Sequence, residues 1–550
     1  MTEPSAKYSS TRYSDPSLKE FFTFEEVVLK GLASDGGLFH PHSIPNIRDQ
    51  LPEWKDLSFQ GLAFNIMRHF IDPSEISDAE LRGLVDRSYE PFRSPAVTPV
   101  VPLSKSANLH LLELFHGPTF AFKDVALQCL GNLFSFFLVR KNKAIPANTP
   151  RHHLTVIGAT SGDTGSAAIY GLRGKPDVSI FIMFPHGKVS PVQELQMTTV
   201  PDPNVHCLSV TGTFDDCQDY VKALFSDPET NKIHHLAAVN SINWARILAQ
   251  ITYYFSAFFQ LQRQQSSVKK VRFVVPTGNF GDILAGYYAS RLGLPVTKLV
   301  IATNENDILH RFWETGRYSK SPKPPQEPHE GIPSDGAKAH EEGVKETFSP
   351  AMDILVSSNF ERLLWHLTFE HECELNPHMK TEASVQAAGR KINEWFAQLK
   401  TTGSFTVDGE IWNKARELFT SYRVSNAQTL ETIRGSYRGE AIEEKGYVLD
   451  PHSAIGVHAA LEEIKQDPLQ EGETIVSLAT AHPAKFAGAV EMALKDEADF
   501  KFESVLPEEF KGLDGLEKRL VRVEEGKGLA EIRDLITKEV EKEKAERNGA

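Results

Sequence analysis

The feature of this sequence that most constrains its fold is a recurring unit of an apolar strand, a glycine-containing turn and a helix. Four such units have strands predicted at 153–158, 178–184, 205–211 and 272–275. Units of this kind predict an α/β fold with a parallel sheet, right-handed crossovers and helices on both faces. Ligands bind outside the carboxyl ends of such strands, so the glycine turns mark the edge where a site is expected.

An unusual lysine, Lys123, stands where the apolar strand 109–114 gives way to a helix, among Phe115, Phe120 and Phe122. The positive end of a helix dipole and apolar surroundings both lower the pKa of a lysine ammonium towards a nucleophilic free amine. Such an amine suits Schiff-base formation with an aldehyde or a ketone. The alternative is a helix-start lysine whose stem lies on the aromatic rings while its ammonium reaches water.

Two glycine turns have the composition of anion-binding sites. Residues 159–165 place hydroxyls, glycines and one acid before a helix, where backbone N–H groups bind carboxylate or phosphate. They lack the Gly-Lys of a nucleotide P-loop, and a tight turn with a capping acid is the alternative. Residues 278–282 open another helix and suit one phosphate. The pattern G-x-G-x-x-G is absent there, which argues against a Rossmann-type nucleotide-binding protein.

A third polar group consists of Asn240, Asn243 and Arg246, which are spaced three residues apart. On a helix these side chains share one face, and an arginine with two amides makes a bidentate anion site. The alternative is a polar helix face in contact with solvent.

Composition excludes several classes of partner. A formal charge of −14 argues against nucleic acid, since phosphate neutralisation needs a basic surface. The apolar runs fall far short of the ~20 residues that a membrane span needs. Residues 1–15 lack the apolar core of a secretion signal, and four cysteines without paired spacing predict free thiols and a cytoplasmic location. A later group of side chains has the residue types of a metal site, but its spacing matches no standard metal-binding pattern, so no metal site is predicted there. The group consists of His366, His371, Cys373 and His378.

These motifs together resemble those of the threonine synthase family, in its longer branch found in fungi and many bacteria. Each stretch alone is a weak signal, whereas the ordered set is specific and extends over most of the chain. The matching stretches are 8–12, 31–38, 115–124, 159–165, 240–246, 278–282, 349–362 and 479–486. The resemblance implies a fold-type II pyridoxal-phosphate enzyme of the tryptophan synthase β type, an α/β fold with two open, twisted, mostly parallel sheets flanked by helices, plus an N-terminal domain.

The resemblance also divides the 550 residues into domains. The predicted units are an N-terminal domain at 1–97, a large cofactor-binding domain at 98–150 and 237–490, a smaller α/β domain at 151–236, and a C-terminal helical segment at 491–550. The stretch 318–347, rich in proline and charge, is predicted to be a flexible insertion.

Roles for single positions follow from the resemblance. Lys123 is the expected catalytic Schiff-base lysine, and Thr480 is the hydroxyl expected beside the pyridine nitrogen. The cofactor phosphate is expected at Gly278, Asn279, Phe280, Gly281 and Asp282. The substrate carboxylate is expected at Thr160, Ser161, Gly162, Asp163 and Thr164, and its phosphate at Asn240 and Arg246, with Lys188 and Ser190 as helpers. This chain has Asp163 where many relatives carry an asparagine.

The implied reaction converts O-phospho-L-homoserine and water to L-threonine and phosphate by γ-elimination and β-addition, the last step of threonine biosynthesis. Lys123 is expected to move the α- and β-protons, and the departing phosphate to assist the addition of water. The alternatives are a serine/threonine dehydratase, whose substrate carries no phosphate, and a non-catalytic relative that only binds pyridoxal phosphate or phosphorylated ligands. A small-molecule substrate, no nucleic acid, no membrane, and a monomer or homodimer are expected.

Overall fold

The computed structural model describes residues 7–18, 20–146, 149–321, 343–375, 381–440, 446–524 and 528–549. The strands within these ranges are β1 (Tyr8–Ser10), β2 (Phe39–Pro41), β3 (Val100–Ser104), β4 (Leu109–Glu113), β5 (Leu154–Ala159), β6 (Val178–Pro185), β7 (Val205–Val210), β8 (Leu236–Ala237), β9 (Lys270–Pro276), β10 (Val296–Thr303), β11 (Arg317–Ser319), β12 (Ser404–Thr406), β13 (Phe419–Arg423), β14 (Glu473–Ala479) and β15 (Val521–Val523). The helices are α1 (Phe24–Lys30), α2 (Leu51–Trp54), α3 (Phe59–Arg68), α4 (Asp78–Tyr89), α5 (Lys123–Ala144), α6 (Asp163–Leu172), α7 (Pro191–Thr198), α8 (Phe214–Ser226), α9 (Pro228–His234), α10 (Trp244–Gln264), α11 (Gly281–Leu292), α12 (Ile308–Thr315), α13 (Phe360–Leu375), α14 (Thr381–Thr402), α15 (Gly409–Leu418), α16 (Asn426–Arg438), α17 (Pro451–Gln466), α18 (Ala487–Leu494) and α19 (Gly528–Gly549). None of the helices in the described ranges has the length and apolarity that crossing a membrane requires.

Six strands make a large sheet in the order β13-β10-β9-β14-β4-β3. Neighbouring strands are parallel, except for the antiparallel pair of β3 and β4. Helices α10 and α11 cover one face and helices α16 to α18 cover the other, so the strands are buried on both sides. This arrangement confirms the predicted α/β fold, because continuous apolar strands need cover on both faces.

A smaller sheet has the order β15-β7-β6-β5-β8, and all of its neighbouring strands are parallel. Helices α5 to α7 pack on one face, and α8 and α19 pack on the other. Three of the four predicted βα units lie in this sheet, and the unit of β9 lies in the large sheet. The predicted domain boundaries themselves stay predictions.

Helices α5 and α6 cross with their backbones in direct contact. A Cβ added at Gly131 would lie 2.0 Å from the Gly171 carbonyl oxygen, and one at Gly171 would lie 2.5 Å from the Leu127 carbonyl oxygen. Only glycine permits this approach. Because α5 begins at Lys123 and α6 begins at Asp163, the crossing brings the first residues of the two helices to the same edge of the molecule.

The segment 491–550, predicted to be helical, also contributes a strand to the small sheet. Strand β15 pairs with β7, and the Arg519 N–H donates to the Thr198 carbonyl (2.7 Å) just before it. Helix α19 then covers the sheet with the buried side chains of Ile532, Ile536 and Val540. The strand was missed because it has three residues, two of which are exposed, and it therefore shows no apolar pattern.

We expect Ile536→Ala to destabilise the packing of α19 on the small sheet by about 2–5 kcal/mol, the usual cost of truncating a fully buried isoleucine side chain to alanine. The thermal unfolding midpoint measures the effect. Lys538→Ala, on the exposed side of the same helix, is the matched control and should leave the midpoint close to that of the unchanged protein. Equal midpoints for the two variants would show that α19 contributes little to the core.

The predicted insertion 318–347 begins later than expected. Tyr318 is fully buried, and β11 pairs with β12, so the first residues of the stretch belong to the fold. At the other end, the Thr347 hydroxyl donates to Asp353 (2.7 Å) and accepts from Asn304 (2.9 Å). Residues 322–342, on which the prediction of flexibility mainly rested, lie outside the described residues.

Candidate active site

The loop before Lys123 is held against the end of β14. The Leu114 N–H donates to the Ala479 carbonyl (2.9 Å), and the Phe122 N–H donates to the Thr480 carbonyl (2.8 Å). Because Phe122 precedes Lys123, these bonds place the lysine beside Thr480 at the carboxyl edge of the large sheet. Lys123 begins α5 and is 7% exposed.

Arg93 fixes the same loop from its outer side. Its guanidinium carbon lies 3.6 Å from the centroid of the Phe120 ring, and its Nε donates to Glu509 (2.5 Å). Phe120 has φ +60°, an uncommon backbone conformation for a bulky residue, and its ring packs on Phe510 with centroids 4.8 Å apart. These contacts stabilise a strained turn just before Lys123. They join distant parts of the chain, so no local sequence signal predicts them.

The surroundings of Lys123 favour a free amine. Burial lowers the pKa of Lys123 to about 8, against the opposing charges of Asp163 and Asp124, while Arg246 and Lys485 lower it further. The alternative in which the ammonium reaches water is wrong, because the residue is almost completely enclosed. The predicted lowering of the pKa is confirmed, with burial as its main cause.

We expect the cofactor-free protein to react with added pyridoxal phosphate at a rate that rises with pH through about 8. The Lys123 amine is nucleophilic only without its proton, so its reactive fraction grows as the pH passes the lowered pKa. The visible absorbance that develops after mixing, followed from neutral to alkaline pH, measures this rate. Lys123→Ala should develop no lysine-linked band. A midpoint near the ordinary lysine value of 10.5 would contradict the lowered pKa.

The turn 159–165 joins β5 to α6. The Thr160 hydroxyl accepts from the N–H groups of Gly162 (3.0 Å) and Gly165 (2.9 Å) and donates to the Gly162 carbonyl (3.0 Å). Thr160 therefore shapes the turn, and its only proton is used there. Ser161 and Thr164 are partly exposed, and no described side chain caps the N terminus of α6. Anion-binding groups at this turn are thus the helix N–H groups and those two hydroxyls.

Asp163, at the start of α6, is paired with a lysine that sequence analysis missed. Its Oδ1 accepts from Lys485 Nζ (2.7 Å) and from Gln193 Nε2 (2.8 Å). Lys485 Nζ also donates to the Thr119 carbonyl (2.7 Å), in the loop that leads to Lys123. Although burial opposes it, the charges of Lys485 and Lys123 hold the pKa of Asp163 well below its ordinary value.

The predicted cofactor-phosphate loop opens α11 in a similar way. Phe280 has φ +63°, and no side chain among the described residues caps this helix. The Ser357 hydroxyl donates to the Gly278 carbonyl (2.7 Å), and the Asn359 N–H donates to the Asn279 carbonyl (3.1 Å). Residues that follow the insertion thus hold the loop by donating to the loop's own carbonyls. The first N–H groups of α11 have no partner within the helix and suit an anion.

Asp282 follows Gly281 in the first turn of α11. Its Oδ1 accepts from the hydroxyls of Tyr253 and Tyr254, the latter at 2.9 Å, and its Oδ2 has no partner among the described residues. Burial raises the pKa of Asp282 to about 6, against both tyrosines and Lys123. The backbone at this position, rather than the carboxylate, is therefore the group suited to a phosphate.

Thr480 lies at the carboxyl end of β14 and is 5% exposed. Its N–H donates to the Ser453 hydroxyl (3.1 Å), and Ser453 in turn donates to Asp450. His452 Nδ1 lies 2.8 Å from Asp450 Oδ1, while its Nε2 accepts from the Ala351 N–H (3.2 Å). The side chain present at the end of β14 is thus an uncharged hydroxyl.

The structure corrects the prediction that three polar residues share a face of α10. The helix begins at Trp244, so Asn240 lies outside it and is exposed. Asn243 caps the helix: its Oδ1 accepts from the Ala245 N–H (3.1 Å), and its Nδ2 donates to the Val28 carbonyl (2.9 Å). Asparagine favours this capping position, and the spacing argument overlooked it.

Arg246 is a buried cation with unused hydrogen-bonding capacity. It is 3% exposed, its Nη1 donates to the Val239 carbonyl (2.9 Å), and its Nε has no partner among the described residues. Burial lowers the pKa of Arg246 to about 10. A buried guanidinium without an acidic partner is costly, and an anionic ligand removes that cost.

The two predicted helpers do not line the same cluster through side-chain contacts. Lys188 is exposed, and none of the contacts between described residues joins it to Lys123 or Arg246. Ser190 caps α7 by accepting from the Gln193 N–H (3.3 Å), and its hydroxyl donates to the Lys485 carbonyl (3.1 Å). Ser190 therefore acts on the site through Lys485.

The predicted site residues that do come together are Lys123, Asp163, Arg246, Asp282 and Thr480. Three helices, α5, α6 and α11, begin at this cluster without a side-chain cap within the described structure, whereas α7, α10 and α17 are capped. A phosphorylated carbonyl compound would find suitable partners here. The uncapped helix N termini and the guanidinium, which has no acidic partner among the described residues, suit its phosphate, and the buried amine suits its carbonyl group. These residues fit pyridoxal phosphate.

One member of the group of three histidines and Cys373 is a core residue. His366 Nε2 lies 2.8 Å from the Tyr288 hydroxyl in the core, and His378 lies outside the described residues. Within the described ranges, no group of three or more histidine, cysteine or acidic side chains has the geometry to hold a metal ion.

Three stretches of the chain match known protein families. Residues 7–89 match the family described as threonine synthase N terminus, and residues 453–536 match threonine synthase, C-terminal. Residues 93–355, which carry Lys123 and both anion-binding turns, match the pyridoxal-phosphate dependent enzyme family.

Full-length relatives give the same result. The chain is 53% identical to threonine synthase of Saccharomyces cerevisiae over 530 residues, covering 95% of this chain and 96% of that protein. It is 54% identical to threonine synthase of Schizosaccharomyces pombe over 508 residues, covering 92% and 93%. The crystal structure of threonine synthase from yeast matches with a TM-score of 0.86 and 52% identity, covering 98% of this chain and 99% of that one. The crystal structure of PLP-bound threonine synthase from Brucella melitensis matches with a TM-score of 0.80 and 38% identity, covering 97% and 99%. The chain therefore belongs to the threonine synthase family of pyridoxal-phosphate-dependent enzymes.

Proposed function

We propose that this enzyme converts O-phospho-L-homoserine and water to L-threonine and phosphate. The observation that carries the proposal is Arg246, a buried guanidinium whose charge acts on Lys123 and whose Nε has no partner among the described residues. The substrate of a serine/threonine dehydratase has no phosphate, so such an enzyme has no use for this cation. Phosphate recognition by a preorganised arginine also explains why an unpaired buried charge is tolerated.

The cofactor is proposed to be held by Lys123, by the N–H groups of the loop 278–282 and by Thr480. When bound, pyridoxal phosphate supplies an electron sink for the bonds around the substrate's amine-bearing carbon. The open N terminus of α11 binds its phosphate group. The Thr480 hydroxyl would hold the pyridine nitrogen and would leave that nitrogen less protonated than a carboxylate in the same place.

The substrate is proposed to be held at both ends. Its carboxylate lies at the N terminus of α6, near Ser161, Gly162 and Thr164, and its phosphate lies at Arg246. Binding at two charged points fixes the carbon chain relative to Lys123. The loss of translational and rotational entropy is then met on binding, and the free-energy barrier of the reaction is lower. Asn240 and Lys188, both exposed, are proposed to approach the phosphate only from the rim of the site.

Lys123 is proposed to act as the acid–base group. Its free amine takes the proton from Cα, then one from Cβ, and protons return to Cα and Cγ after phosphate has left Cγ. A pKa of about 8 suits proton transfer in both directions near neutral pH. The departing phosphate, retained by Arg246, assists as a base when water adds at Cβ.

The test is the stoichiometry of products. Equal amounts of L-threonine and phosphate are expected from O-phospho-L-homoserine, and little 2-oxo acid is expected from L-serine or L-threonine. Formation of 2-oxo acid without phosphate release would establish the dehydratase instead. A protein that binds pyridoxal phosphate with its normal visible absorbance but forms neither product would be a non-catalytic relative.

A cytoplasmic location and a monomeric or homodimeric state are also proposed. All four cysteines are free thiols, and three of them are buried, which fits a reducing compartment. Cell fractionation tests the location, and light scattering of the purified protein tests the oligomeric state.

A further inference from the structure

The substrate-carboxylate turn contains a charge of the wrong sign. Asp163 is the first residue of α6 and is buried, directly beside the helix N terminus proposed to receive a carboxylate. Two carboxylates at one buried site repel each other strongly. A helix N terminus contributes only about half a positive charge, which one unneutralised aspartate would cancel.

Lys485 supplies the missing charge. Its Nζ lies 2.7 Å from Asp163 Oδ1 and 2.7 Å from the Thr119 carbonyl oxygen, and its side chain has no exposed surface. Lys123, the other lysine whose charge acts on Asp163, does not replace it, because Lys123 is the acid–base group. Lys485 is therefore the cation in contact with Asp163.

The position of Lys485 is fixed from several directions. The residue ends a short 3-10 helix after β14, and its carbonyl accepts from the Ser190 hydroxyl (3.1 Å). The neighbouring Ala484 is buried against Phe120 and Phe510. The ammonium thus joins the large domain, through its own chain, to the start of α6 and to the lysine loop. Such a fixed ammonium meets its partner without further loss of side-chain entropy.

We propose that Lys485 is the counter-cation that makes the aspartate-containing N terminus of α6 able to bind a substrate carboxylate. The proposal rests on the proposed function for the identity of the substrate. The pair as a whole is neutral, so the partial positive charge of the helix end remains available to the ligand. An asparagine in place of Asp163 removes the need for the cation, so the effects of changes at positions 163 and 485 depend on each other.

The test compares K485Q, D163N and the double variant D163N/K485Q with the unchanged holoenzyme. The dissociation constant of O-phospho-L-homoserine is measured from the change in visible absorbance, and KM and kcat are measured separately. K485Q leaves Asp163 uncompensated, so binding is expected to weaken on the order of 100-fold. D163N leaves a cation in excess and is expected to bind the carboxylate at least as tightly as the unchanged enzyme. The double variant should regain about 10-fold or more of the affinity lost in K485Q.

A purely structural pair gives a different pattern. In that case both single variants weaken binding to a similar degree, the double variant regains nothing, and the proposal is overturned. K485R, which keeps the charge, should bind more tightly than K485Q, and equal weakening of the two would also overturn it. Melting temperatures of the cofactor-free variants identify loss of folding, and K485M with D163N/K485M then replaces the glutamine pair.

Failure of the proposed function is recognised separately. If the unchanged enzyme releases no phosphate from O-phospho-L-homoserine, the same variants are titrated with L-serine, L-threonine and L-homoserine. These amino acids share the α-carboxylate and lack the phosphate. If K485Q weakens the binding of these amino acids and D163N does not, the counter-cation role is supported with a different substrate. Equal weakening by the two variants excludes it.

Discussion

Lys123→Ala is expected to lower kcat for threonine formation by about 10,000-fold, the upper range for loss of a positioned acid–base group. It is also expected to abolish the lysine-linked visible absorbance of the holoenzyme. Both effects have one cause, because the same buried amine anchors the cofactor and moves the protons. The residue lies at the start of α5, where burial lowers its pKa to about 8, so the free amine is far more populated near neutral pH than that of an ordinary lysine.

The matched control is Lys495→Ala, which removes an exposed lysine after α18. It should keep both the visible band and the turnover rate. Circular dichroism and melting temperature verify that Lys123→Ala is folded. A Lys123→Ala enzyme that retains the lysine-linked band would show that another amine anchors the cofactor, with Lys485, whose charge acts on Lys123, as the candidate.

Arg246→Met is expected to raise KM for O-phospho-L-homoserine by roughly 100- to 1,000-fold, the equivalent of losing a buried hydrogen-bonded charge pair. Inhibition by inorganic phosphate should weaken in parallel. Arg246→Lys should recover only part of the loss, because an ammonium cannot bind phosphate with two parallel N–H groups. Folding stability of the ligand-free protein should fall little, since the guanidinium has no ionic partner among the described residues.

Arg362→Met is a matched control with the opposite expectation. Arg362 is equally buried, but its donors reach the carbonyls of Phe39 (2.8 Å) and Ile242 (2.6 Å) and the Asn359 side chain (2.5 Å). Its removal should lower the melting temperature, because several buried acceptors lose their donor. If Arg246→Met lowers stability as Arg362→Met does and leaves KM unchanged, Arg246 is structural and the phosphate-binding role is excluded.

Sequence reasoning succeeded where the signal is local and periodic. Strands β5, β6 and β9 are continuous apolar runs that end in glycine turns, so their positions and the sheet edge they form were predictable. Lys123 was predictable for the same reason, since its aromatic neighbours and the helix start are adjacent in the chain. These features depend on a few consecutive residues, which a single sequence displays directly.

The features that escaped prediction depend on contacts between distant residues. Lys485 carries no local signal, and its importance appears only when Asp163 and Thr119 reach it from other elements. The three-residue spacing led to the wrong prediction that Asn240 shares a helix face with Arg246. Spacing does not show where the helix begins, and here Asn243 caps it, so that Asn240 lies outside. Predicting these contacts from the sequence would require knowledge of how the elements of the two sheets pack against each other.

The small sheet has a consequence for synthesis of the chain on the ribosome. Its edge strand β15 and the covering helix α19 are translated after the whole of the large sheet, long after β7. At about 5–20 residues per second, the nascent chain spends many seconds with the outer face of β5 to β7 covered by α8 but not yet by α19. Ile157, Phe181 and Leu208 then lack the part of their cover that α19 supplies in the finished protein. The small sheet, beside which Asp163 begins α6, therefore reaches its final packing only once α19 has been made, and a nascent chain stalled before α19 presents an apolar surface that chaperones recognise.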